Sequence, residues 1–138
     1  MKILFVARSY PPLVGGMEQF SKDFFNNIIK FANVDLIANY RGKRNTLVFF
    51  IKVCIRFIFT SNKYQIIHFS DAILAPAIPI IRLFSNAKIS FTVHGLDIIY
   101  SKYGYQKIII PFLKQADVIF AVSSFTKAQC IHRGITNN

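Results

Sequence analysis

Short apolar runs alternate along this chain with longer segments of helical periodicity. The runs are rich in β-branched and aromatic residues, and most are apolar almost throughout, as in strands covered by helices on both faces. They lie at Lys2 to Ala7, Val34 to Ala38, Gln65 to Phe69, Lys88 to Val93 and Asp117 to Val122. Because this alternation is typical of parallel βαβ units, the sequence predicts an α/β, Rossmann-like domain whose parallel sheet carries helices on both faces.

Five helices are predicted between and after these strands. They begin near Gly16, Thr46, Ala72, Tyr105 and Ser123. Ser123 or Ser124 can cap the last helix, because a serine hydroxyl accepts a hydrogen bond from a free amide of the first turn. Pro76 and Pro79 fall inside the third helix, where a proline removes a backbone donor. That segment is therefore predicted to be kinked or partly loop.

The fourth predicted strand ends in polar residues. His94, Gly95 and Asp97 directly follow the β-branched and aromatic run from Ser90 to Val93. Ligands bind at the carboxyl edge of open α/β sheets, so an imidazole at this position is a candidate site residue. A histidine with purely structural hydrogen bonds is the alternative, and position alone does not separate the two. Asp97 either orders the His94 loop or caps local backbone.

The turn after the first strand carries paired glycines. Gly15 and Gly16 precede a predicted helix, with Glu18 in its first turn. Such a turn lets a phosphate approach bare amides at the positive end of the helix dipole, although glycine also serves simply to turn the chain. The pattern is neither GxGxxG nor GxxxxGK[ST], and the second strand ends at Asn39, which is not acidic. A dinucleotide-binding domain and a P-loop nucleoside triphosphatase are therefore disfavoured.

Composition limits the partners. Of 138 residues 53% are hydrophobic and 17% charged, which predicts one folded domain instead of a disordered chain. Seventeen basic against six acidic residues give a net charge of +11, which favours an anionic partner: a phosphorylated ligand, nucleic acid or an anionic membrane. No recognition-helix, RRM or KH signature accompanies the basic residues, so we expect no nucleic-acid partner.

The cysteines and the N-terminus favour an intracellular protein. Cys54 and Cys130 stand far apart without a CxxC or Cys/His pattern, so neither a zinc site nor a disulfide framework is predicted. No uncharged apolar run reaches 18 residues, and the N-terminal apolar stretch is closed by Arg8, too early for a signal peptide. The predicted location is the cytoplasm.

With these residues placed, the sequence resembles the N-terminal domain of family 4-like GT-B glycosyltransferases. The resemblance rests on three ordered matches over essentially the whole chain: Tyr10-Pro11-Pro12 through Gly15-Gly16-Met17-Glu18, then Thr92 to Asp97, then Ala116 to Ser124. It implies an acceptor-side domain that faces a second Rossmann-like domain holding most of a nucleotide-sugar. It also implies sugar transfer in the cleft with retention at the anomeric carbon, in cell-surface polysaccharide or glycolipid synthesis.

The resemblance also implies roles for single residues. His94 is expected to be the catalytic-site histidine that hydrogen-bonds the transferred sugar. Donor or acceptor binding is expected of Gly15, Gly16, Glu18, Gly95, Asp97, Ser123 and Ser124. No cofactor or metal is expected, because leaving-group charge in similar enzymes is stabilised without a metal. Consistent with this, Asp71, Asp97 and Asp117 form no DxD pair.

The segment from Arg41 to Lys63 is predicted to contain an unusually apolar helix. Its candidate membrane-binding residues are Lys43, Arg44, Lys52 and Arg56. Lys52 and Arg56 lie one turn apart, in a narrow polar stripe that fits either a deeply packed helix or one lying in a lipid interface. Similar glycosyltransferases use lipid-linked acceptors at the cytoplasmic membrane face, which favours a possible peripheral association with the inner face of the cell membrane.

The 138 residues end where the family enters its second domain. The expected arrangement is thus one N-terminal domain over residues 1–138, with the donor-binding domain absent from this chain and the isolated chain inactive. The alternative is a non-catalytic remnant of the fold that binds a membrane or a partner. A small flavodoxin-like regulator is less favoured, because the acidic phosphoacceptor pocket after the first strand is missing.

Overall fold

Five parallel strands form the sheet in the computed structural model of this chain, which describes residues 1–100 and 103–136 and only the backbone of Lys43, Ser61 and Tyr103. The strands are β1 (Lys2–Ala7), β2 (Asn33–Ala38), β3 (Ile66–Phe69), β4 (Lys88–Val93) and β5 (Val118–Ala121). Each predicted strand is confirmed, with its ends within one residue of the prediction.

The strand order places one crevice at the carboxyl edge of the sheet. The order is β2-β1-β3-β4-β5, so β1 pairs with β2 on one side and with β3 on the other. The connections after β1 and β3 therefore leave in opposite directions, and a crevice opens between them. The residues that follow β1, β3 and β4 meet at this crevice.

Six α-helices connect the strands in the described residues. They are α1 (Gly16–Ile28), α2 (Thr46–Thr60), α3 (Ile78–Phe84), α4 (Gly95–Ile99), α5 (Tyr103–Leu113) and α6 (Ser124–His132). The structure confirms the predicted starts of α1 and α2, and α5 begins two residues early. Ser123 caps α6 as predicted, since its hydroxyl accepts from the Thr126 N–H at 3.1 Å.

The third helical segment is irregular, as its prolines predict. It begins as a 3-10 helix, Ala72–Ala77, with Pro76 inside, and continues as α3 with Pro79 in the first turn. By contrast, α4 was not predicted. It has only five residues and no apolar periodicity, and the interaction that defines its start is a hydrogen bond from the His94 N–H to the Asp97 carboxylate.

The main core lies between one face of the sheet and helices α2, α3 and α5. Phe57 of α2, Phe69 of β3 and Phe91 of β4 are fully buried there, with the rings of Phe69 and Phe91 stacked at 4.7 Å. Full burial of a side chain of this kind stabilises the fold by roughly 1.5–3 kcal/mol. This core holds the carboxyl ends of β3 and β4, and thus the site, in place.

Helix α1 covers the other face through aromatic stacking. Phe5 and Phe24 both stack on the ring of His68, at 5.5 and 4.8 Å. The His68 nitrogens hydrogen-bond the hydroxyls of Ser90 at 2.8 Å and Thr92 at 3.1 Å, and burial lowers the pKa of His68 to about 4. His68 is therefore a neutral structural histidine, which makes it a useful comparison for His94.

Candidate functional site

Three neighbouring strands deliver polar residues to the crevice. Arg8 follows β1, Asp71 lies two residues after β3, and His94 follows β4 directly. Arg8 and Asp71 are almost completely buried, and His94 is half-buried. His94 thus lies at the carboxyl end of β4, as the sequence predicts.

Arg8 and Asp71 form a buried ion pair across the crevice. Nε and a terminal nitrogen of Arg8 both contact Oδ2 of Asp71, and the two side chains are 9% and 1% exposed. Oδ1 of Asp71 accepts from the Ile73 N–H at 2.9 Å and so caps the 3-10 helix. Sequence reasoning missed this pair, although Arg8 directly follows one apolar strand and Asp71 lies two residues after another, which is a usable signal.

Asp97 links the loops that follow β3 and β4. Its Oδ2 accepts from the His94 N–H at 3.0 Å, and its carboxylate also accepts from the Ala72 N–H. The same hydrogen bonds therefore cap the local backbone and order the His94 loop, which are the two predicted alternatives for Asp97. Burial, and then the nearby carboxylate of Asp71, raise the pKa of Asp97 to about 7, against the opposing effect of these hydrogen bonds and of Arg8.

The raised pKa of Asp97 predicts a pH-dependent stability. The native state retains a proton on Asp97 that the unfolded chain loses near pH 4, so this group's contribution to stability is full below about pH 4 and is lost as the pH rises through about 7. Asp97→Asn should remove that slope, at most about 1.4 kcal/mol per pH unit. Urea unfolding of both proteins from pH 4 to 8 measures it. Parallel stability curves would contradict the prediction.

One ring nitrogen of His94 has no partner. Nε2 is buried and unbonded among the described residues, while the ring meets Phe20 edge-on at 5.2 Å. Burial lowers the pKa of His94 and Arg8 acts in the same direction, against the Asp71 carboxylate and the Ser70 carbonyl. His94 thus contrasts with His68, whose two nitrogens are both satisfied. A neutral imidazole with one unsatisfied nitrogen can bond a ligand hydroxyl once that atom is uncovered.

The glycine turn is exposed at the N-terminus of α1. A Cβ added to Gly16 would have no heavy atom within 4 Å, so packing inside the described chain does not require glycine there. A Cβ at Gly15 would lie 2.3 Å from a carboxylate oxygen of Glu18, the flexible end of a side chain that folds back over the turn. Both glycines of the turn are exposed, and the Glu18 carboxylate lies beside Gly15.

Gly95 and the serines lie at the contact between α4 and α6. A Cβ at Gly95 would lie 3.6 Å from Oγ1 of Thr126, in ordinary contact. Ser123 and Ser124 are both exposed, and the Ser123 hydroxyl is occupied as a cap and lies 3.0 Å from Oγ1 of Thr126.

A cavity of about 440 Å³ opens beside these residues, and we call it the polar cavity. It is lined by Arg8, Met17, Thr46, Asp71, Ile73, Leu96, Asp97, Tyr100 and Tyr105. Met17 adjoins the glycine turn, and Asp97 holds the His94 backbone. Met17 beside the glycine turn and Asp97 of the histidine loop therefore border the same space as the Asp71 carboxylate.

The family can now be assigned. The sequence model for Glycosyltransferase Family 4 matches residues 5–138, nearly the whole chain. This chain belongs to glycosyltransferase family 4. A comparison with curated protein sequences gives no significant match.

A solved structure shares the fold of this family 4 chain. It is titled "lipopolysaccharide outer core galactosyltransferase WaaB apo form", with a TM-score of 0.63 and 20% sequence identity. The match covers 99% of this chain and 43% of that one, so this family 4 chain spans less than half of the matched protein. The predicted Rossmann-like fold, as one half of a GT-B architecture, is confirmed.

The candidate membrane residues of this family 4 chain belong to α2 and the segment just before it. Lys52 and Arg56 are exposed on α2, Arg44 is exposed just before it, and the side chain of Lys43 lies outside the described residues. Across residues 1–100 and 103–136, no helix is long and apolar enough to cross a bilayer. In the same residues no three His, Cys, Asp or Glu side chains cluster as metal ligands would.

Proposed function

We propose that this chain is the acceptor-side half of a retaining glycosyltransferase. Its reaction moves a sugar from a nucleotide-sugar to a saccharide or lipid-linked acceptor, in the synthesis of cell-surface polysaccharide or glycolipid. The observation that carries the proposal is that, in a family 4 chain, Met17 beside the glycine turn and Asp97 of the His94 loop line the same polar cavity.

In this proposal the glycine turn faces the donor diphosphate. The first amides of α1 carry the positive end of the helix dipole, and Gly16 leaves room for a close approach. Those amides stabilise the charge that develops on the leaving nucleoside diphosphate, without a metal ion. A second Rossmann-like domain supplies the remaining donor contacts and excludes water from the cleft.

His94 orients the sugar in transfer. Burial and Arg8 favour its neutral ring, and Nε2 is the ring atom left for a sugar hydroxyl. Reaching Nε2 requires the side chains around it, including Phe20, to move when the donor binds. Asp97 acts as a positioning residue, because it holds the His94 backbone instead of facing the reacting atoms.

The product of the reaction tests this proposal. A two-domain form, in which this chain is joined to a nucleotide-sugar-binding domain, is incubated with a panel of nucleotide-sugars and acceptors. The anomeric configuration of the new glycosidic bond is then read by NMR. We expect the configuration of the donor to be retained. An inverted product would exclude the retaining mechanism, and no product with any donor would favour the non-catalytic alternative.

Membrane binding is a second candidate function, favoured by the surface of α2. Six apolar side chains form an outward apolar face that is between 44% and 77% exposed: Leu47, Val48, Ile51, Ile55, Ile58 and Phe59. Phe49, Val53 and Phe57 on the opposite side are buried, so α2 packs one face against the core and leaves the other exposed. Lys52 and Arg56 flank the outward face, and α2 has no acidic residue. This pattern suits an anionic lipid interface.

Sedimentation with vesicles checks membrane binding. We expect the protein to sediment with anionic vesicles at low salt and to remain in the supernatant with neutral ones. Exchange of Lys43, Arg44, Lys52 and Arg56 for glutamine should weaken binding by about 1 kcal/mol per charge near the surface. Exchange of Lys22 and Lys30, which are exposed on and just after α1, is the matched control. Equal sedimentation with both vesicle types would exclude an electrostatic attraction.

A further inference from the structure

A row of stacked rings runs along α1 to the ring of His94. Measured between ring centroids, Phe24 stacks on His68 at 4.8 Å and on Phe5 at 5.5 Å, and Phe20 stacks on Phe24 at 6.0 Å. Phe5 and His68 belong to buried strands of the sheet, so this end of the row is held in place. At the other end, the Phe20 ring meets the ring of His94 at 5.2 Å and almost at a right angle.

Phe20 also lies close to the glycine turn. It comes four residues after Gly16, the first residue of α1, so the two positions share one side of the helix and lie one turn apart. Side chains of a helix lean toward its N-terminus, which in α1 is the glycine turn. Phe20 therefore stands between the two features that the proposed function uses, the glycine turn and His94.

The contact with Phe20 leaves Nε2 of His94 in an unfavourable environment. This atom is buried without a hydrogen-bond partner among the described residues, and a phenyl ring carries no N–H, O–H or carbonyl group to bond it. A buried polar atom of this kind costs free energy, which is recovered when water or a ligand reaches it. Burial is also the main cause that lowers the pKa of His94. The covered arrangement is thus the costly one for this nitrogen, and opening relieves it.

We propose that Phe20 is a gate residue of this site: its ring covers Nε2 of His94 and must rotate away before a ligand hydroxyl can bond that atom. The inference rests on the proposed transferase function, in which Nε2 bonds the sugar. Phe20 is half-buried at the end of the row, so its ring can rotate while Phe24 and His68 stay stacked on Phe5. The closed gate keeps water from the imidazole until the sugar replaces the ring.

Chemical modification tests the gate without turnover. Diethyl pyrocarbonate acylates accessible nitrogens of neutral imidazoles, and its rate at each histidine of the folded chain is read by peptide mass spectrometry. His132 is exposed and should react fast, whereas His68, with both nitrogens bonded, should react slowly. In the unsubstituted chain His94 should react at least about 10-fold more slowly than His132, because it reacts only while the gate is open. Phe20→Ala should raise the His94 rate at least about fivefold and leave the other two rates unchanged.

Two further variants separate a gate from a ring with a purely structural role. Phe20→Leu keeps an apolar side chain over Nε2 and should restore most of the protection of His94. Phe31→Ala removes a ring that is 86% exposed just after α1, and it should change no rate.

Three results would each overturn the proposal. The first is equal rates at His94 and His132 in the unsubstituted chain, a comparison that holds even if the alanine variant does not fold. The second is a His94 rate that Phe20→Ala leaves unchanged. The third is a parallel acceleration of His68 in Phe20→Ala, which would mean that the whole row loosens. Because no donor is present, each of these results leaves the proposed transferase function standing. Normal transfer by His94→Ala beside a confirmed gate would count against the role of His94 in transfer alone.

Discussion

His94→Ala is expected to lower sugar transfer by the two-domain form about 100-fold or more, while leaving the fold intact. Removal of one hydrogen bond positioned where charge develops in the transition state typically lowers the rate by that factor. Nε2 of His94 has no hydrogen-bond partner among the described residues, while the ring meets Phe20 edge-on and interacts with the Ser70 carbonyl. The measurement is kcat/KM together with urea unfolding of the same preparation.

His132→Ala is the matched control for this variant. His132 is exposed at the end of α6, so its removal should change neither transfer nor stability. Near-normal turnover by His94→Ala with native stability would remove His94 from the catalytic site. A parallel loss of transfer and of stability would assign His94 a structural role like that of His68.

Asp71→Ala is expected to lower the free energy of unfolding by about 3–5 kcal/mol. The substitution leaves the buried Arg8 guanidinium without its counter-charge. An unpaired buried charge strongly destabilises the folded state. The substitution also removes the cap on the Ile73 N–H. Urea unfolding of the 138-residue chain measures the loss, and Asp71→Asn gives a milder variant for the case in which the alanine protein does not fold.

Two controls separate the buried pair from a surface effect. Lys88→Ala removes an ion pair to Asp117 whose lysine is 74% exposed, so it should change stability by less than about 0.5 kcal/mol. The double variant Arg8→Met with Asp71→Leu should recover much of the loss, since apolar side chains need no counter-charge. A small effect of Asp71→Ala, or no recovery in the double variant, would contradict this account of the crevice.

Local sequence patterns were enough to predict the elements of this fold. Runs of β-branched and aromatic residues located all five strands, and the two prolines correctly predicted the irregular third helical segment. The serine before α6 predicted its cap. Helix α4 was missed, because its start depends on one side-chain hydrogen bond from His94 to Asp97 and not on periodicity.

The contacts of the site were harder to predict than its residues. Arg8 and Asp71 are 63 positions apart, and they meet only because β3 pairs with β1 on the side away from β2. That strand order is a property of tertiary packing, which periodicity does not specify. The same holds for α2, whose apolar residues look alike in sequence although four of them are buried and six are exposed.

Complementation tests the central claim most directly. Transfer from a panel of nucleotide-sugars is measured with the 138-residue chain alone, with a separately produced donor-binding half alone, and with the two mixed. We predict no transfer by either half and restored transfer by the mixture, because in the proposed function the glycine turn and His94 form one wall of a cleft that a second domain completes. Robust transfer by the isolated chain would contradict the claim and would require a complete donor site within these 138 residues.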